Sequence, residues 1–260
     1  MSALSYRCFA CDKADALHVV LIHGWGLHGG VWDKVIEPLR TFAHVTVIDR
    51  AGYGNSPRMT KEQELAALLA IMPPEAVYVG WSLGFTLVAE VAARYPARVH
   101  GVVAVAANPC FVWRPEWVYG LAELQFRRVV GRTLSNPDAE LVRFIGLQCH
   151  DSPSQREDML FLKQQLAAKP MPYYRVLIEG LTVLSDDQRP TVEKITCPIL
   201  WLLGERDSLV KLNHEVLAAL NKKIIVSIVK DAAHVPFVSH AAVFITRLAN
   251  FCRELQYDSF

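Results

Sequence analysis

The stretch VYVGWSLGFTLVAEVAARYP, residues 77–96, decides how the chain is read. Val77, Tyr78 and Val79 have the character of a short buried strand, whereas residues 83–95 are rich in helix formers and stop at Pro96. Between the two, Ser82 stands in Gly80-Trp81-Ser82-Leu83-Gly84, a G-x-S-x-G spacing. A serine at such a corner either caps the helix or is held on a turn that admits only small neighbours, with its hydroxyl lifted clear of the backbone. What the rest of the chain brings to the same corner separates the two readings.

Upstream, LHVVLI (17–22) and VTVI (45–48) read as continuous apolar strands, with helices expected over 31–39 and 61–71. Downstream, GVVAVAA (101–107) is the next strand. Strands apolar on both faces and separated by helices indicate an α/β protein whose parallel sheet is covered on both sides. From 111 to 184 no strand-like run occurs, and helical periodicity takes over. Trp117, Leu121 and Leu124 are expected on one face, as are Leu141, Phe144 and Ile145, then Met159, Leu162 and Leu166. Asn136-Pro137, Ser152-Pro153 and Pro170-Met171-Pro172 punctuate these helices, and Gly131 and Pro170 suggest hinge loops. The α/β rhythm resumes at CPILWLLG (197–204) and KIIVSIV (223–229) and closes on a helix over 241–255.

A parallel sheet binds ligands beyond the carboxyl ends of its strands. His23-Gly24-Trp25-Gly26 follows the first strand, Ser82 follows the strand at 77, Asp207 follows CPILWLLG, and His234 follows KIIVSIV. A serine hydroxyl needs a base to take its proton during attack, imidazole is largely neutral near pH 7, and a carboxylate on the far ring nitrogen fixes the tautomer. Ser82, His234 and Asp207 are therefore the candidate nucleophile, base and acid. The oxyanion needs backbone donors, expected from Leu83 and from Trp25 between its glycines. Each residue has a plainer reading: Ser82 or Asp207 as a helix cap or solvated loop residue, Glu205 or Asp231 as the acid, and His240, His214 or His23 as competing histidines. His240 falls where a capping role is expected, and His23 where it supports the oxyanion loop.

The chain has 260 residues, 52% of them hydrophobic and 20% charged, with a formal net charge of +1. That balance argues against a nucleic-acid groove or a polybasic membrane anchor. No apolar run reaches the ~18–20 residues of a membrane span, and residues 1–15 lack signal-peptide character. A soluble, cytoplasmic protein is the expectation. Cys8 and Cys11 form a lone C-x-x-C without a second ligand pair, and Cys110, Cys149, Cys197 and Cys252 are scattered. Reduced, partly buried thiols are expected, with no metal and no cofactor.

The motifs LIHGWGLHGGVW (21–32), GWSLG (80–84), NPCF (108–111), RFIGLQ (143–148), KPMP (169–172), GLTVLSDDQRP (180–190) and AAHVPFVSH (232–240) carry a resemblance over almost the whole chain. The sequence resembles the α/β-hydrolases with a helical cap and, more narrowly, the pimeloyl-[acyl-carrier-protein] methyl ester esterase family of biotin synthesis. The resemblance implies an α/β-hydrolase fold: a mostly parallel central sheet flanked by helices, with an all-helical cap inserted after the sixth strand. The core would comprise 1–110 and 185–260 and the cap 111–184. It implies a monomeric serine carboxylesterase that removes the methyl group from a pimeloyl chain held on acyl carrier protein. Ser82, Asp207 and His234 would be the triad, with Trp25 and Leu83 as oxyanion donors. Phe144, Ile145, Gly146, Leu147 and Gln148 would join them in contacting substrate, and Arg143 and Arg156 would contact the carrier protein. Trp113, Trp117, Phe126, Phe144 and Leu147 are candidates for lining an apolar acyl slot. Departures are also visible. Phe85 stands where many relatives have glycine, Ala51 where proline is frequent, and apolar residues near Ala139 and Leu160 where arginines are expected. Residues 111–184 hold nine Lys and Arg against eight Asp and Glu, and Arg127, Arg128 and Arg132 fit a solvated helix face as well as a carrier contact. A small-ester carboxylesterase without a carrier, a carbon–carbon hydrolase or perhydrolase, and a ligand sensor retaining the triad are the competing readings.

Overall fold

The computed structural model describes residues 3–13 and 15–257, so the outermost ends of the expected core segments lie outside the described residues. β1 (Tyr6–Phe9) and β2 (His18–Ile22) lead through a 3₁₀ turn at Gly29–Trp32 into α1 (Asp33–Leu39). Then come β3 (His44–Ile48), α2 (Lys61–Ile71), β4 (Ala76–Trp81), α3 (Gly84–Arg94) and β5 (Val99–Val105). Four helices follow without a named strand between them: α4 (Glu123–Ser135), α5 (Pro137–Cys149), α6 (Gln155–Ala167) and α7 (Tyr174–Ser185). The chain closes with α8 (Arg189–Val192), β6 (Ile199–Gly204), α9 (His214–Leu220), β7 (Ile224–Val229), α10 (Pro236–Ser239) and α11 (Ala241–Tyr257).

The described strands form one seven-stranded sheet in the order β1-β3-β2-β4-β5-β6-β7. All neighbours are parallel except β1 against β3. The strands are apolar throughout because both faces are covered. Val20, Ile22, Tyr78 and Trp201 share a cluster with Leu65 and Leu68 of α2 and Val88 of α3. Their sequence neighbours Val19, Leu21, Val77 and Leu200 face the opposite way, with Val35 of α1 and Phe244 and Leu248 of α11. A third cluster joins Phe126, Leu141, Phe144, Leu177 and Leu181 from α4, α5 and α7 to Trp25, Tyr53 and Leu83 at the top of the sheet. After β2 the chain crosses to β3 on one side and then to β4 on the other. The topological switch point therefore lies between β2 and β4, where Ile22 pairs with Gly80.

Several expectations need correction. The helical segment follows the fifth described strand, not a sixth, because one N-terminal strand precedes β2 where the cap placement implied two. That strand, β1, escaped notice because its burial is nearly all on the exposed side and its apolar alternation is weak. Trp117, Leu121 and Leu124 do not share a helix face. Residues 112–121 form a loop closed by the bridges Val112–Leu121 and Arg114–Trp117, and Leu124 is exposed on α4. Gly131 lies inside α4 and not in a hinge loop. α5 starts where expected: Asn136 accepts a hydrogen bond from Ala139 N at 3.0 Å, and Pro137 occupies the first turn.

Candidate active site

The corner after β4 is built around close backbone approach. Ser82 has a φ of 51°, a left-handed conformation that costs a non-glycine residue about 1–2 kcal/mol. A Cβ on Gly80 would lie 2.5 Å from Phe85 Cα, and one on Gly84 would lie 2.5 Å from Ile22 O. Both glycines are thus demanded by backbone and not by flexible side chains. The turn is anchored by Ser82 N donating to Val105 O at 2.9 Å and Phe85 N donating to Ser82 O at 3.0 Å. Phe85 packs on Trp201 with ring centroids 4.8 Å apart, so the departure from glycine serves helix-to-sheet packing.

The loops after β6 and β7 bring Asp207 and His234 together. His234 Nδ1 donates to Asp207 Oδ2 at 2.8 Å, with both side chains almost fully buried. Asp207 Oδ1 accepts from Leu209 N at 2.8 Å and Val210 N at 3.0 Å, which suits an ionised, acceptor-only carboxylate. With the proton on Nδ1, Nε2 carries the lone pair, and it has no hydrogen-bond partner among the described residues. The backbone of His234 is clamped from two sides: its N donates to Gln148 O at 3.1 Å, and its O accepts from Trp81 Nε1 at 3.0 Å. The competing residues are engaged elsewhere. Asp231 pairs with Arg206, Glu205 accepts from Asp231 N at 2.9 Å, and His240 meets Ser239 at 2.8 Å.

The amides of Trp25 and Leu83 have no acceptor among the described residues. Both belong to segments held by a buried network. His23 Nε2 accepts from Arg50 N at 2.9 Å, so the proton sits on Nδ1, which donates to Gly24 O at 2.8 Å. Burial drives the His23 pKa down to about 4, keeping the ring neutral. Arg50 Nη1 donates to Leu83 O at 3.1 Å, while its Nε and Nη2 hold Glu64 at 3.1 and 2.9 Å. Burial alone would raise the Glu64 pKa, but the Arg50 guanidinium and the amide of Ala51 hold it below the usual value. Sequence reasoning missed Arg50 and Glu64, since nothing in their spacing marks two charges as a buried pair.

α5 presents its residues in different directions. Phe144 meets the Trp25 ring edge-on at 5.1 Å and shares the apolar cluster that Leu147 packs against. Gln148 is 1% exposed, and neither its Nε2 nor its Oε1 has a partner among the described residues. Ile145 packs in the cluster with Cys149 and Leu162, and Gly146 looks toward Met159 of α6. Neither is brought against Trp25. Of the candidate slot aromatics, Phe126 joins Phe144, whereas Trp117 packs in the core beside Asn108 and Trp113 is exposed. Arg143 and Arg156 are exposed on α5 and α6. Arg127 pairs with Glu123 and Arg132 with Glu140, which commits two of the three clustered arginines within the segment. The cysteines are free thiols; burial pushes Cys149 and Cys252 up to about 12. Among the described residues no group of three or more His, Cys, Asp or Glu side chains is arranged to hold a metal ion, and no helix is long and apolar enough to cross a membrane.

Known proteins share this architecture. The family model for the alpha/beta hydrolase fold matches residues 18–241. The pimeloyl-[acyl-carrier protein] methyl ester esterase of Aliivibrio fischeri is 32% identical over 250 residues, covering 93% of this chain and 96% of its own. The protein of the same name from Methylococcus capsulatus is 36% identical over 227 residues, covering 85% and 89%. Among solved structures, a bromoperoxidase from Bacillus anthracis superimposes with a TM-score of 0.83 at 22% identity, covering 96% of this chain and 95% of that one. The chain belongs to the α/β-hydrolase family, as a carboxylic ester hydrolase related over nearly its whole length to the pimeloyl-[acyl-carrier protein] methyl ester esterases.

Proposed function

We propose that this esterase hydrolyses the methyl ester of pimeloyl-[acyl-carrier protein], giving pimeloyl-[acyl-carrier protein] and methanol in biotin synthesis. The observation that carries the chemistry is His234, bound to Asp207 through Nδ1 with Nε2 unpartnered, its backbone tied at 3.0 Å to Trp81, the residue before Ser82 on the strained turn. Ser82 attacks the ester carbonyl while Nε2 takes its proton, and Asp207 steadies the imidazolium. The amides of Trp25 and Leu83 receive the oxyanion. His234 then protonates the departing methoxide, and water hydrolyses the acyl-enzyme by the same route in reverse. No cofactor takes part.

Residues 111–184 act in this reading as a cap over the core formed by 1–110 and 185–260. Phe126, Phe144 and Leu147 line the acyl slot, and the Gln148 amide bonds polar atoms of the substrate, which supplies the partners it otherwise lacks. Arg143 and Arg156 meet the acidic carrier protein, and the enzyme works as a cytoplasmic monomer. The triad attacks thioester and methyl ester alike. Discrimination therefore comes from the carrier holding the thioester outside while the distal ester reaches Ser82.

The test compares kcat/KM on pimeloyl-carrier-protein methyl ester with that on a small free methyl ester. A preference of at least about a hundred-fold for the carrier-bound ester, near 3 kcal/mol of added transition-state binding, is expected. Equal efficiency on both would instead favour a carrier-independent short-chain esterase. That second reading draws on the near-balanced charge of 111–184 and the internal pairing of Arg127 and Arg132.

A further inference from the structure

Both candidate oxyanion donors lean on a single helix, α7. The indole Nε1 of Trp25 donates to Leu177 O at 2.8 Å, a bond between side chain and helix backbone 152 residues apart. Trp25 is 1% exposed and Leu177 fully buried, so water offers neither group a substitute partner. One turn further along α7, on the same face, Gly180 sits against the same pair. A Cβ there would lie 2.8 Å from Tyr53 Oη, 2.9 Å from Trp25 Cδ1 and 3.1 Å from Leu83 Cδ2. Only a residue without a side chain lets α7 approach the Trp25 and Leu83 side chains together. The Tyr53 hydroxyl adds a longer bond to Val176 O at 3.5 Å.

A cleft of about 630 Å³ runs beside this contact, lined by Tyr53, Leu83 and Gly180 as well as by Met59, Leu87 and Val183. The Arg58–Glu179 ion pair, half-exposed on both sides, is a second polar tie from α7 to the loop after β3. α7 therefore meets the Trp25 and Leu83 side chains directly, with the cleft along its flank.

We propose that α7 is a positioning element of the oxyanion hole, with Gly180 and the Leu177 carbonyl fixing where the Trp25 and Leu83 amides point. This rests on the reading of those amides as oxyanion donors. Neither α7 group touches the reacting atoms; each acts through a donor residue. Displacing a preorganised donor by a fraction of an ångström weakens transition-state binding and leaves ground-state binding nearly untouched.

Gly180→Ala and Trp25→Phe test this from the two sides of the contact, the second removing the five-membered ring that carries both the indole N–H and the Cδ1 facing Gly180. Each is expected to lower kcat on p-nitrophenyl acetate about ten- to a hundred-fold with KM within about two-fold. Affinity for a boronic acid that mimics the tetrahedral adduct is expected to fall by the same factor as kcat. The double variant should lose little more than the worse single, because both substitutions break one contact. Arg175→Ala, exposed in the first turn of α7, should match wild type. Unchanged kcat in Trp25→Phe, or losses that multiply in the double variant, would overturn the proposal even if Gly180→Ala does not fold. A small chromogenic ester makes the test independent of the carrier protein, and Ser82→Ala run alongside reports separately on the underlying site: activity retained there would remove the nucleophile assignment itself.

Discussion

At the scale of single residues, the site is organised by which hydrogen-bonding groups are satisfied and which are left open. Asp207 has both oxygens occupied, whereas His234 Nε2 and the amides of Trp25 and Leu83 have no acceptor or donor facing them among the described residues. Replacing Asp207 by Asn keeps the shape but offers His234 a donor as readily as an acceptor. The expected result is a fall in kcat of about 10⁴ with little change in KM, read from steady-state kinetics on a small ester. His23 supplies a second prediction, on stability. Its native pKa of about 4 lies below the ordinary 6.5, so as pH falls from 6.5 toward 4 the unfolded chain takes up a proton that the native ring refuses. Its contribution is complete above pH 6.5 and declines below it, by on the order of 3 kcal/mol at pH 4. Urea unfolding of wild type and His23→Gln at pH 7 and pH 4.5 checks this: the gap between the two should narrow at the lower pH, and a gap independent of pH would contradict it. Ser82, Asp207 and His234 were legible in the sequence because each follows an apolar strand and small neighbours mark the turn. Gly180 was not, since a glycine in a helical run reads as a weak spot until the tertiary partner that demands it is seen.

At the scale of elements, the loop after β3 and the start of α2 form a buried electrostatic joint beneath the Ser82 turn. Arg50 and Glu64 are nearly solvent-free, and the pair also holds Leu83 O and Ala51 N. Removing one partner strands a buried charge, so Glu64→Gln is expected to cost about 3–5 kcal/mol in chemical unfolding. A loss below about 1 kcal/mol, the range of a surface pair, would contradict that placement. Neither charge announces this in sequence, because patterning reports periodicity and not pairing across a loop. Elements with clear end signals were read to within a residue or two: α2 spans Lys61–Ile71 as expected, its start marked by a capping box between Thr60 and Gln63. β1 gave no signal and the bridged loop at 112–121 was read as helix because both are short and carry little apolar alternation; β1 is defined by its pairing with β3 and the loop by its own local bridges.

At the scale of the whole molecule, a covered, mostly parallel sheet gathers four strand-end loops at its carboxyl edge, and the helices inserted between β5 and β6 pack against them. The alternation of strands and helices puts the Trp25 loop and Ser82 at the same edge, and the sheet order sets them beside each other at the switch point. The surface that meets a partner is less legible, because exposed arginines carry no periodic signal. Arg143→Ala/Arg156→Ala is expected to lower kcat/KM on carrier-bound ester about ten-fold or more, to flatten its salt dependence, and to leave hydrolysis of a free small ester within about two-fold. Equal losses on both substrates would instead mark the arginines as structural. The most direct test of the account is methanol release from pimeloyl-carrier-protein methyl ester by wild type beside Ser82→Ala. The expected result is multiple-turnover release by wild type that the variant abolishes while remaining folded. Release that survives in Ser82→Ala, or a wild type that leaves this ester intact, would contradict it.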